Sequence, residues 1–135
     1  MSRTRSALAG ALAATGWAAL EPLDRRVFRY DYSDVAVLGK LATSGPHWCA
    51  AGLAIHAANG AVFGLAYHEA RRRRGWSALR LALLEHVALY PLSALVDRHH
   101  PARGTSGVPK LLSPRAFGQA TARHAVFGVL LGRLA

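Results

Sequence analysis

Two histidines recur in this chain with the same pair of glycines behind them. The element His-x3-Gly-x3-Gly begins at His56 and again at His124, and both histidines fall near the middle of an apolar segment. An imidazole in apolar surroundings must satisfy its N–H group, so each of them needs a hydrogen-bond partner or a ligand. The residue type and the spacing suit three kinds of chemistry: a structural hydrogen bond, proton or ion transfer, and ligation of haem or a metal ion.

A hydrogen bond that fixes helix register is the favoured interpretation, because buried polar groups are satisfied before they are functional. A proton or ion path is the second, since ionisable residues inside a membrane mark such routes. In the third, His56 and His124 form an axial pair for haem, or Glu85 joins them in a two-histidine, one-carboxylate metal site. The three alternatives stay open at the level of the sequence, and no cofactor is predicted.

Two charges, Glu85 and Arg123, also stand within predominantly apolar segments. Leaving one of them alone in lipid costs about 3 kcal/mol on insertion scales. We expect them to form an ion pair between adjacent antiparallel helices, which would make Glu85 a structural counter-ion and weaken the metal hypothesis. His86 and Tyr90 share one helix face, where packing with a single hydrogen bond is favoured over lining of a cavity. The predicted midplane polar cluster consists of His56, His124, Glu85, Arg123 and His86.

The elements that position these side chains are predicted to be helices. A spacing of four residues places Gly60 and Gly64 on one helix face, and likewise Gly128 and Gly132. Small residues at this spacing let another helix backbone approach closely. We therefore predict that these two helices pack tightly, either against each other or each against its own hairpin partner. Pro91 is predicted to kink the helix that carries Glu85.

The helices are further predicted to span a membrane. From Pro46 to Tyr67 the chain has no Asp, Glu, Lys or Arg, and an α-helix needs about 20 apolar residues to cross a bilayer core. The composition agrees, with 52% hydrophobic residues and a mean hydropathy of +0.15 despite a net charge of +10. Because the second half repeats the first, three weaker segments are also predicted to span: Ser6 to Leu23, Trp76 to Val96 and Ala116 to Ala135.

The predicted fold class is all-α, a four-transmembrane-helix bundle built from two tandem helical-hairpin repeats. Residues 1–135 are expected to form a single integral membrane domain, with repeat 1 at about 6–67 and repeat 2 at about 76–135. Removal of the first segment as a signal peptide would break this pseudo-symmetry, so we expect it to be retained. Cys49, the one cysteine, cannot form an intramolecular disulfide.

Arginines set the expected orientation. Arg71 to Arg74 lie in a predicted short loop, on the same side of the membrane as Arg3 and Arg5. The positive-inside rule makes that side cytoplasmic, which predicts a multi-pass protein of the inner membrane with both N- and C-termini in the cytoplasm. The arginine run is expected to contact anionic lipid and no nucleic acid. The turn from Asp97 to Pro101 is expected to cap a helix and touch headgroups rather than bind a metal.

In its alanine- and arginine-rich composition and its four short apolar segments, the whole chain resembles small four-helix integral membrane proteins of high-GC bacteria. That resemblance implies an integral membrane protein and transfers neither an activity nor a functional residue. We expect a non-enzymatic role in the lipid bilayer, as a structural, interaction or small transport component, with homo-oligomers supported by the glycine faces. The alternative is a haem- or metal-binding membrane redox protein that uses His56 and His124.

Overall fold

The computed structural model describes residues 2–135 and contains six α-helices in that range. They are α1 (Arg3–Phe28), α2 (Asp34–Ala42), α3 (Trp48–Arg74), α4 (Ala78–Leu89), α5 (Leu92–His99) and α6 (Pro114–Leu134). The long helices α1 and α3 pack side by side, α1 also contacts α6, and α6 contacts α4. The helices α3 and α4 barely touch, although they are consecutive. A gap between these two helices is the setting of the candidate site.

The prediction of four membrane-spanning helices is wrong. Within residues 2–135, α3 is the one helix that is long and apolar enough to cross a membrane, and α4 with α5 qualifies only as a bent pair. The first predicted segment lies in α1 and contains Glu21, and its alanine, glycine and threonine residues leave it less apolar than α3. The fourth fails because α6 carries Arg115, Arg123 and Arg133 in its 21 residues.

Serine side chains begin four of the helices in the described range. In each case the serine hydroxyl accepts a hydrogen bond from the backbone N–H three residues later, which satisfies one of the unpaired donors at a helix start. The capping serines are Ser2, Ser33, Ser77 and Ser113. The arginines Arg71 to Arg74 form the last turn of α3, so the expected loop is a helix end, and Gly75 follows with a left-handed φ of 66°.

Two prolines have different effects on their helices. Pro91 separates α4 from α5, and the axes of these helices differ by 55°. The predicted kink is confirmed; proline has no N–H and clashes with the preceding turn. Pro22 lies inside α1, which continues past it.

Close backbone contacts hold the helices in pairs. A Cβ atom on Gly10 of α1 would overlap the carbonyl oxygen of Gly60 on α3, and a Cβ on Gly64 would overlap that of Ser6. In the second half, a Cβ on Gly128 of α6 would lie 2.7 Å from the Cα of Leu79 on α4. Of the two packing modes considered, each glycine face therefore meets the other long helix of its own half: α3 packs against α1, and α6 against α4.

Large aliphatic side chains lie outside and small or polar side chains lie inside. Leu12, Val62 and Val87 are each more than 60% exposed, whereas the main core cluster is built largely from small residues such as Ala9 and Ala13. Of the most apolar 18 residues of α3, 17% are buried, so most of this apolar stretch lies at the surface of the fold. The buried polar residues are Ser6, Glu21, Ser33, His86, Asp97, His100, Gln119 and Arg123.

Candidate functional site

Arg123 on α6 is the most deeply buried charge of the site, with 2% of its side chain exposed. Its Nε donates to Asp24 Oδ2 at 2.6 Å and its Nη1 donates to Asp34 Oδ2 at 2.8 Å. The expected ion pair of Arg123 with Glu85 is therefore wrong. Because α6 packs against α1, Asp24 near the end of α1 and Asp34 at the start of α2 reach the guanidinium. Glu85 on α4 instead pairs with His124.

Aromatic rings complete the surroundings of Arg123. Its Cζ lies 4.9 Å from the ring centre of Trp17 and 4.5 Å from that of Tyr32. Trp17 Nε1 donates to Asp34 at 3.3 Å, and the Tyr32 hydroxyl donates to the other oxygen of the same carboxylate. Burial would raise the pKa of Asp34, but the Arg123 charge, with help from the Tyr32 hydroxyl, lowers that pKa to about 2. Burial and the neighbouring Asp34 carboxylate raise the pKa of Tyr32.

Glu21 has a structural role that sequence reasoning missed. Its carboxylate accepts the backbone N–H of Asp34 at 2.8 Å and that of Val35 at 3.3 Å, and it accepts the Ser33 hydroxyl. A carboxylate at a helix N-terminus is stabilised by the free N–H groups and the helix dipole. Glu21 of α1 therefore caps α2 from outside and fixes Asp34 beside Arg123.

His124 and Glu85 form the second charged pair of the site. His124 Nδ1 lies 2.8 Å from the carbonyl oxygen of Ala120, which only accepts, so Nδ1 carries a hydrogen. His124 Nε2 lies 3.3 Å from Glu85 Oε2. A hydrogen bond between these two atoms requires one proton, which sits either on the imidazole or on the carboxyl group. The two atoms lie at ion-pair distance, just beyond the range of about 2.6–3.2 Å for direct proton transfer, so a small approach of the two side chains would allow proton exchange.

His86 lies beside this pair, with its ring centre 4.5 Å from that of His124. Thr121 donates its hydroxyl hydrogen to the carbonyl oxygen of Phe117 at 2.8 Å. The Thr121 oxygen can therefore only accept from His86 Nε2, 2.9 Å away, which fixes a hydrogen on that nitrogen. The Nδ1 atom of a neutral His86 is then an acceptor.

Two cavities meet at the Glu85–His124 pair. The larger, of about 260 Å³, lies among α1, α2, α3 and α6 and reaches α4 at Glu85, and the smaller, of about 110 Å³, lies toward α5. Glu85 and His124 line both. The larger is also lined by Ala14, Trp17, Asp34, Leu38, His56, Asn59, Gly60, Phe63, Arg123 and Phe127, and the smaller by Tyr32, His86, Leu89, Tyr90, Ser93, Leu111, Ala116 and Ala120.

His56 faces the larger cavity with one nitrogen unused. Its Nε2 atom is buried and finds no hydrogen-bond partner among residues 2–135. A buried polar atom without a partner is uncommon in a folded protein, so this nitrogen is one of the few that the described contacts leave unsatisfied. The structure thus brings His56, Glu85, His124 and Arg123 to one cavity, and His86 to the adjoining one.

Sequence reasoning missed Trp17, Asp24 and Asp34. The usable signal was Arg123 itself, because a buried arginine requires carboxylates and the connection after Asp24 contains two more, Asp31 and Asp34.

Metal ligation is not favoured by the donor geometry. In the described part of the chain, no three or more His, Cys, Asp or Glu side chains are arranged to hold a metal ion, so His56, His124 and Glu85 do not form the expected ligand set. The haem alternative stays a prediction. In the last turn of α5, Asp97 accepts from Leu111 N at 2.9 Å and pairs with Arg103, and in the turn that follows, His100 Nε2 donates to Val37 O at 2.8 Å. These two residues therefore tie the turn to α2 and to the segment before α6.

No protein-family model, no curated protein and no solved structure matches this chain.

Proposed function

We propose that this protein is embedded in a lipid membrane and relays protons through the Glu85–His124 pair. The proposal rests on one observation: the imidazole of His124 and the carboxylate of Glu85 form part of the wall of two adjoining cavities. The proposal selects the small transport component among the roles expected from the sequence. The alternative is that the Glu85–His124 contact only stabilises the fold. The experiment must distinguish this structural role from a proton relay.

The distribution of side chains supports membrane embedding. Large aliphatic residues cover the outside of several helices, including Leu8 and Leu12 on α1, Val62 on α3 and Val87 on α4. Arg123 and Gln119 are instead almost fully buried. In water the opposite arrangement is favoured, because burial of aliphatic surface drives folding. In lipid, aliphatic side chains gain little from burial, because the surrounding acyl chains are equally apolar. Polar groups must be buried instead, because lipid offers them no hydrogen-bond partners.

The arginine distribution supports an orientation. Gly64 of α3 contacts Ser6 of α1, and Gly132 of α6 contacts Ala78 of α4, so α1 begins and α6 ends at the end of the fold where α3 ends. This end, the arginine end, comprises Arg3, Arg5, Arg71, Arg72, Arg73, Arg74, Arg80 and Arg133. The opposite end carries eight further Lys and Arg residues, spread over several segments. The proposed orientation, with the arginine end in the cytoplasm of a bacterial inner membrane, therefore rests on the density of Arg71 to Arg74 in a single helical turn.

The geometry of the pair supports a relay of protons rather than of larger ions. The Ala120 carbonyl holds the imidazole of His124 in one orientation through Nδ1, which leaves Nε2 and Glu85 to share a single proton. The larger cavity has room for several waters, each needing about 30 Å³, and His56 is one of the residues that line it. On the other side, His86 lies against His124 in the smaller cavity.

Reconstitution tests the relay directly. The purified protein is placed in vesicles that contain a pH-sensitive dye, a potassium gradient is applied, and valinomycin sets the membrane potential. We expect acidification with the wild-type protein, and loss of it to the level of empty vesicles with Glu85→Gln and His124→Ala, because each removes one site of the shared proton. The matched control is His99→Ala, since His99 is exposed and lies outside both cavities.

A structural role for the pair gives a different result. In that case the two variants lower the unfolding temperature in detergent and leave proton flux per folded protein at the wild-type level. Wild-type vesicles without flux above empty vesicles would also refute the relay. Folding of every variant is checked by circular dichroism and gel filtration before the flux measurement.

A further inference from the structure

We infer that a groove at the arginine end binds the headgroup of an anionic phospholipid. The groove has a volume of about 410 Å³ and lies where the end of α3, the start of α4 and the end of α6 meet. This inference rests on the proposed membrane embedding and is independent of the proton relay. The groove is lined by Tyr67, Arg71, Gly75, Trp76, Ser77, Ala78, Leu79, Gly128, Val129 and Gly132.

Arg71 supplies a positioned cation to this groove. Its Nη1 donates to the hydroxyl of Tyr67 at 3.1 Å, and Tyr67 is itself 3% exposed and part of the main core cluster. A guanidinium held in this way keeps its other N–H groups for a phosphate, to which arginine can bind with two parallel hydrogen bonds. Arg71 is therefore a better phosphate ligand than a freely moving surface arginine.

Trp76 organises two more arginines at the edge of the groove. The Cζ atom of Arg74 lies 5.1 Å from the ring centre of Trp76, and that of Arg80 lies 4.9 Å from it. Tryptophan is enriched at the level of lipid headgroups, where its ring meets both apolar chains and polar groups. The two guanidinium groups are thus held at the depth where lipid phosphates lie.

The charges at this site favour an anion. Among residues 2–135, Arg71, Arg74 and Arg80 have no carboxylate partner, whereas Arg72 and Arg73 both pair with Glu69. The first turn of α4, capped by Ser77, adds the positive end of a helix dipole. Three unpaired arginines beside one helix start attract a phosphate group more strongly than a neutral headgroup.

The apolar wall of the groove favours a lipid over a free phosphate. Leu79 and Val129 line it and are 37% and 40% exposed, and α4 and α6 carry further exposed aliphatic side chains, Val87 and Val126. An acyl chain attached to a phosphate at Arg71 would cover these side chains. Inorganic phosphate leaves them uncovered and gains nothing from them.

Lipid retention by the detergent-solubilised protein tests this inference. The protein is mixed with phosphatidylglycerol or phosphatidylcholine in micelles, and retained lipid is measured by native mass spectrometry. We expect preferential retention of phosphatidylglycerol, weakened about fivefold for each arginine removed in Arg71→Gln and Arg80→Gln. Arg98→Gln is the matched control, because Arg98 is an exposed arginine on α5. Excess inorganic phosphate should not displace the lipid.

Several outcomes would overturn the inference. They are equal retention of the two lipids, an unchanged preference for phosphatidylglycerol when Arg71→Gln and Arg80→Gln are combined, an equal loss of retained lipid in Arg98→Gln, or displacement of the lipid by inorganic phosphate. Failure of membrane embedding is recognised separately, because alkaline carbonate would then extract the protein from membranes. Failure of the relay is also separate, since it appears in vesicle acidification and leaves lipid retention unchanged.

Discussion

Arg123 on α6, which is buried, forms an ion pair with the partly buried Asp34 on α2, with 2.8 Å between Nη1 and Oδ2. The same guanidinium binds Asp24 near the end of α1. One side chain thus joins three helices whose residues are far apart in sequence. The larger cavity is lined by both Arg123 and Asp34, so the ion pair also determines part of its wall.

Replacing Arg123 should unfold the protein more easily than replacing an exposed arginine. Arg123→Met leaves Asp24 and Asp34 without their counter-ion, and breaking a buried pair in this way costs about 3–5 kcal/mol. The control is Arg25→Gln, because Arg25 pairs with Asp31 and both side chains are at least one third exposed. Such surface pairs contribute about 0–1 kcal/mol. Chemical denaturation in detergent measures both values, and equal effects of the two variants would contradict the prediction.

A methyl group at the crossing of α1 and α3 should separate the two helices. Gly10→Ala places a Cβ on the carbonyl oxygen of Gly60, and overpacking of this kind costs about 1–3 kcal/mol. Gly16→Ala in the same helix is the matched control, because its Cβ would have Leu130 Cδ1 as its nearest contact, at an ordinary 3.8 Å. We expect a lower unfolding temperature for Gly10→Ala alone. A similar loss in Gly16→Ala would mean that the crossing is not the cause.

The stability of the fold should fall in strong acid through Asp34. Its pKa is lowered from 3.8 to about 2, so its ionised form stabilises the folded state fully above about pH 4. This stabilisation is lost as the pH falls through 2. We expect the difference in unfolding temperature between wild type and Asp34→Asn to shrink between these values. Asp31→Asn, at an exposed carboxylate, is the control, and a difference that stays constant down to pH 2 would contradict the assignment.

The protein purified from haem-replete cells should be colourless. In His124 the Ala120 carbonyl and Glu85 already occupy both ring nitrogens, so axial ligation of haem would break the Glu85 contact. Absorption spectroscopy checks this expectation. A Soret band that disappears in both His56→Ala and His124→Ala would favour the redox alternative over the proton relay.

Local patterns in the sequence predicted the contacts that depend on one helix at a time. The spacing of Gly60 and Gly64 defined a face that another backbone could approach, and the structure puts α1 against that face. Pro91 predicted a break because its effect is confined to the preceding turn. These features need no knowledge of which helices become neighbours.

Contacts between distant segments were harder to predict. Arg123 was assigned to Glu85 on the assumption that the charges of α4 and α6 meet, but α6 also packs against α1, where Asp24 was available. The number of spans was overestimated for a related reason. The repeat suggested equal roles for all four segments, yet α1 and α6 carry the charges that build the site and are less apolar than α3.

Cys49 and the end of α6 are two positions suited to labelling, and they lie at opposite ends of the fold. Cys49 is exposed in the first turn of α3, while the start of α1 and the end of α6 lie beside the opposite end of that helix. At 1.5 Å per residue, the 27 residues of α3 span about 40 Å. Under the proposed membrane embedding, an impermeant thiol reagent at Cys49 and a fluorescent fusion at the end of α6 would therefore sample different faces of the bilayer.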